Sequence, residues 1–150
     1  MKTFIYSFLL IILAACAENS PEARKNGFSD TRKNPEDSLF QDVMDQHDEA
    51  MAKMGRIAGY RKQFDAKIDS LKKLKSPTKE SVEAKYKEIS ADLKKAEEGM
   101  NNWMQEFSID SAQGNIERRL QYLESEKAKV TRVKEEIISA LSKADSALKK

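Results

Sequence analysis

Five methionines, the only histidine and the only tryptophan of this chain, leaving aside Met1, fall in two short windows. Met44, His47, Met51 and Met54 are spaced 3, 4 and 3 residues apart, so on a helix they share one face. Met100, Trp103 and Met104 share a face in the same way. Thioether sulfur and imidazole are donors that suit Cu(I) better than harder ions, and an indole ring adds a cation–π contact. This pattern points to a soft-metal site. His47, Met51 and one of Met100 or Met104 would be its ligands, with Met44 in reserve and Met54 and Trp103 beside them. A methionine-rich core has the same spacing, because methionine fills gaps beside aromatic rings. On that reading no cofactor is bound, and His47 is a seam residue satisfied by a carboxylate or a carbonyl.

Either reading needs two helices held at one height. Helix 1 is expected over 36–74, with Asn34 as cap, Pro35 at the first position and Glu36 and Asp37 in the first turn. Its apolar stripe runs through Phe40, Met44, Met51, Met54, Ile57, Phe64, Ile68 and Leu71. Helix 2 is expected over 77–107, capped by Ser76 and led by Pro77. Its stripe is strict: Val82, Tyr86, Ile89, Leu93, Ala96, Met100, Trp103 and Phe107, the alternating steps of a packed seam. Helix 3 is expected over 110–148, opened by a capping box between Asp110 and Gln113. Its stripe is Ile116, Leu120, Leu123, Val130, Val133, Ile137, Leu141, Ala144 and Leu148, with Lys127 and Lys134 on or beside it, placed to reach acidic residues of a neighbouring helix.

Short connections make consecutive helices antiparallel. The expected fold is all-α, an up-down-up antiparallel three-helix bundle or coiled coil over 37–150. Its core is narrow enough to admit a homodimer. With Ser76 as the hinge, His47 comes opposite Gln105 and Met51 opposite Asn101, which brings the two methionine windows to one end of the bundle. Gly55, Gly59 and Gly99 lie nearby, where they would let backbones approach or leave a pocket.

The N-terminus carries a different message. Lys2, an apolar run from Phe4 to Leu13, and Leu13-Ala14-Ala15-Cys16 form the order of a bacterial lipoprotein signal. The run is shorter than the ~20 apolar residues a membrane-spanning helix needs. Residues 1–15 read as a cleaved signal peptide, with Cys16 then acylated. Residues 16–36 are the acylated cysteine and a flexible tether rich in Asn, Ser, Pro and Gly. Two or more acyl chains hold a protein firmly to a bilayer where one does not. Cys16 is the only cysteine, so acylation leaves no thiol for a disulfide, catalysis or a metal. Ala17 at the next position favours the outer membrane.

The chain has 27 Lys+Arg and 25 Asp+Glu. Loss of Lys2 with the signal leaves a net charge of +1, with both signs mixed along every segment. That balance argues against nucleic acid, which needs a basic stripe, and against a polybasic membrane surface. One histidine, no spare cysteine and no phosphate loop leave no catalytic set. The expectation is a non-enzymatic envelope protein, anchored in the membrane by its lipid and scaffolding an unknown envelope partner. Cu(I) binding is the alternative.

Three segments carry a resemblance: Val43-Met44-Asp45-Gln46-His47-Asp48-Glu49-Ala50-Met51, Met100-Asn101-Asn102-Trp103-Met104-Gln105-Glu106-Phe107, and Tyr122 to Val130 continuing to Val133-Lys134. Over about residues 39 to 148 the chain resembles small uncharacterised Gram-negative envelope lipoproteins often labelled "viral A-type inclusion protein". That label reflects coiled-coil composition, and the resemblance implies no activity and gives no residue a role.

Overall fold

The computed structural model describes residues 34–149. Cys16, the signal peptide and most of the expected tether lie outside the described residues. Three helices pack against one another: α1 (Pro35–Lys72), α2 (Lys79–Glu106) and α3 (Ile116–Leu148). Among the described residues there is no strand, and no helix is long and apolar enough to cross a membrane.

The start of α1 follows from its first residues. The Asn34 side chain accepts a hydrogen bond from the Asp37 amide at 2.9 Å, and Pro35 takes the first helical position. The other two helix starts differ from expectation. α2 begins at Lys79 rather than 77, with Thr78 at the cap position and no side-chain cap bond. Ser76 and Pro77 belong to the connection, where the Ser76 carbonyl accepts from the Lys79 amide at 3.2 Å. α3 begins at Ile116 rather than 110, because Asn115 caps it by accepting from the Arg118 amide at 3.0 Å. Asp110 and Gln113 do meet, at 2.8 Å, but side chain to side chain within a turn. Ala112 and Gly114 there have φ of 60° and 84°, left-handed values that interrupt any helix continuing from Asp110.

The seam of α1 is Phe40, Val43, His47, Ala50, Met54, Ile57, Arg61, Phe64, Ile68 and Leu71, in unbroken alternating steps of 3 and 4. Val43, Ala50, Ile57 and Phe64 are fully buried, one heptad apart. Met44 and Met51, expected in this stripe, each sit one residue past it. Met44 is half-buried and Met51 is exposed. The α2 stripe is as expected, with Ile89, Leu93, Ala96, Met100 and Trp103 buried. In α3 the buried series runs Arg119, Leu123, Glu126, Val130, Val133, Ile137, Ala140, Ala144 and Ala147, with Leu141 beside it. Ile116, expected in that stripe, is exposed.

Polar pairs line the flanks of the bundle. Lys127 Nζ donates to Asp42 at 2.7 Å and Lys134 Nζ donates to Glu49 at 2.8 Å, both across a separation of 85 residues. Tyr60 donates to Asp145 across the same separation. A constant offset means that α1 and α3 run parallel, so the connectivity is up-down-up. α2 opposes both: Phe64 meets Tyr86 edge-on and Trp103 lies at the level of His47.

Two of these acids titrate low. The Tyr60 hydroxyl, helped by Arg56, holds the Asp145 carboxyl below its usual range, and the bond and charge of Lys134 do the same for Glu49. Groups whose carboxyls titrate lower when folded stabilise the fold above the ordinary carboxylate range. They lose that contribution as pH falls through the lowered values. Thermal unfolding should therefore shift down on acidification. Asp145→Asn should lower the midpoint at neutral pH and give a shallower acid loss than the parent; parallel curves would contradict this.

Candidate functional site

At the end where α1 and α3 begin, the three seams bring His47, Trp103 and Glu126 together. The His47 and Trp103 rings lie 5.6 Å apart, tilted by 37°. Trp103 is 5 % exposed and its Nε1 donates to Glu126 Oε2 at 3.0 Å. Glu126 is 3 % exposed, and its other oxygen accepts from Lys129 Nζ at 2.8 Å. That bond raises the Lys129 ammonium above its usual range. A buried carboxylate is costly unless every oxygen is satisfied, and here one donor comes from α2 and one from α3 itself. Trp103 thus stands opposite His47, two residues from the Gln105 expected with Ser76 as the hinge.

Aromatic rings continue the layer toward the helix ends. Trp103 stacks on Phe107 at 4.9 Å, and Phe107 lies 6.1 Å from Tyr122 and 6.5 Å from Phe40. Arg119 closes the end. Its guanidinium, 5.9 Å from the Tyr122 centroid, donates to Glu36 and to the Ser111 carbonyl at 3.0 and 2.9 Å. Glu36, Arg119 and the 113–116 turn line an open cleft of about 500 Å³. Further along, Arg61 occupies a seam position of α1 and pairs with Glu97, while its buried Nε has no partner.

The methionines divide between core and surface. Met100 is fully buried in the core and Met54 packs against it. Met51 and Met104 are each 37 % exposed, because each follows a seam residue, Ala50 and Trp103. His47 Nδ1 lies 2.9 Å from Asp48 Oδ1, so its partner is the carboxylate next to it in sequence. Among the described residues no three His, Cys, Asp or Glu side chains are grouped to hold a metal. A Cβ on Gly55 or Gly59 would meet nothing within 4 Å, and one on Gly99 would touch Val133 and Glu136 at an ordinary 3.9 Å. The glycines therefore mark no close backbone approach.

Glu126 and Arg119 were missed because both are charged. A signal was present: the expected α3 stripe jumps seven residues from Leu123 to Val130, and Glu126 fills the gap at the correct step. No family model, curated protein or solved structure matches the chain.

Chemically, this end offers a buried indole–carboxylate pair beside an aromatic stack, with the carboxylate's second oxygen held by the half-exposed Lys129 ammonium. The Trp103–Glu126 bond joins α2 to α3 at this level.

Proposed function

We propose that this protein is a lipid-anchored, non-enzymatic lipoprotein of the bacterial envelope, held at the outer membrane through Cys16, whose helical bundle scaffolds another envelope component. The observation that carries the reading is Leu13-Ala14-Ala15-Cys16 after a short apolar run, followed by a domain whose polar seam groups are engaged in packing. The resemblance to small envelope lipoproteins points the same way, and its three segments supply His47, Trp103 and Glu126. Metabolic labelling with an alkyne palmitate tests the anchor. The full chain should take up label and partition into membranes. Cys16→Ser should take up none, whereas label persisting on Cys16→Ser contradicts the reading.

A second reading, Cu(I) binding, keeps one specific support: Met51 and Met104 stand outside the core, on the two helices that carry His47 and Trp103. In an anaerobic competition titration, one Cu(I) should bind per chain. The double change His47→Leu with Met51→Leu should abolish binding, and Met100→Leu, inside the core, should leave it intact. Binding no tighter than that of a helical protein without exposed methionine contradicts the reading.

A further inference from the structure

Folding separates charges that look mixed along the sequence. The half of the bundle holding residues 34–50 and 100–135 carries twelve Asp+Glu against six Lys+Arg. The other half, residues 51–99 and 136–149, carries fifteen Lys+Arg against ten Asp+Glu. The parallel offset of α1 and α3 and the reversed α2 place the members of each group side by side. α1 alone has 38 residues, about 57 Å at the helical rise. The bundle is therefore acidic at the end from which the chain leads back to Cys16 and basic at the far end.

The basic end is sharpest at its tip. From Lys72 to Glu80 the chain has four lysines and one carboxylate. Lys72 pairs with Asp69 at 2.9 Å, and Lys79 Nζ donates to the Lys72 carbonyl at 3.3 Å. Lys73 and Lys75 form no salt bridge with another described residue. Only the end of α1 and the start of α2 reach this level, and their opposed dipoles cancel; by the 85-residue offset α3 ends lower, near Phe64. Between Lys73 and Lys75 stands Leu74, 55 % exposed at the crest of the connection. Ile109 and Ile116 are as exposed at the acidic end, and what sets Leu74 apart is its place between two lysines: an anionic bilayer accepts such an apolar side chain, with the ammonium groups at the phosphates.

We propose that the Lys72–Lys79 turn is a second membrane contact, which inserts Leu74 into an anionic lipid surface while Lys73 and Lys75 engage its headgroups. The acidic half is repelled by such a surface, so contact is made by the tip and not by the flank of the bundle. This contact is independent of acylation at Cys16. The buried core lies wholly between Val43 and Ala147, so the chain from residue 17 onward keeps every core residue and gives a lipid-free test.

That chain is sedimented with vesicles of phosphatidylcholine alone and with vesicles containing phosphatidylglycerol. It should bind only the anionic vesicles, and less at high salt, where the screening length contracts. Lys73→Gln with Lys75→Gln should weaken binding about 25-fold, from roughly fivefold per lysine. Leu74→Ser should weaken it about tenfold, while Lys94→Gln with Lys95→Gln, halfway along α2, should change little. All these positions are on the surface, and unchanged helical circular dichroism confirms the fold of each variant. Equal binding to neutral vesicles, or equal losses from the tip and mid-helix pairs, overturns the proposal. An unchanged affinity for Leu74→Ser also overturns it, in favour of a soluble polyanion as the partner.

Discussion

The carboxylate of Glu126 sits inside a hydrophobic seam, and the bundle is arranged so that it can stay there. Its position is one where a heptad pattern calls for an apolar side chain. Left alone, a buried carboxylate costs several kcal/mol. Trp103 from α2 and Lys129 one turn further along α3 each satisfy one oxygen. Sliding α2 by a heptad would keep most apolar contacts but take the indole away from the carboxylate. We infer that this pair selects one register among several that the apolar residues alone would accept, the best-attested use of a polar group in a helical seam.

Once that register is fixed, the rest of the long-range order follows. Trp103 at the level of Glu126 brings Phe107 onto Tyr122 and His47 onto the indole. Lysines of α3 then fall opposite acids of α1 at a single offset of 85 residues. Each such pair is worth little by itself, but a repeated offset penalises every alternative pairing. The same register decides where unpaired charge accumulates. A chain that is nearly neutral overall becomes a bundle with an acidic half and a basic half.

Much of this was legible in the sequence, and the failures have physical causes. The α2 stripe could be read residue by residue because every seam position there is apolar. In α1 the larger apolar side chains drew the reading to Met44 and Met51, whereas the seam uses the smaller Val43 and Ala50 beside them. The unbroken 3–4 run from Phe40 to Leu71 was available, but it passes through His47 and Arg61, which a purely apolar pattern skips. In α3 the same bias hid Arg119 and Glu126. Asp110 and Gln113 looked like a capping box, but the left-handed backbone at Ala112 and Gly114 is a property of the folded connection that composition did not announce. The convergence of the methionine windows at one height was correct to within two residues. Their sulfurs nevertheless divide between core and surface, because a single residue step turns a side chain by about 100° around the helix.

The account therefore rests on the coupling between Trp103 and Glu126. A double-mutant cycle in urea unfolding measures it most directly, with Trp103→Phe, Glu126→Leu and the two combined. Either single change leaves a buried polar group without its partner, while the double change removes both. The account predicts that the double variant is less destabilised than the sum of the singles, by about 1–3 kcal/mol. Additivity within about 0.5 kcal/mol would mean that the pair does not hold the register, and would contradict the account.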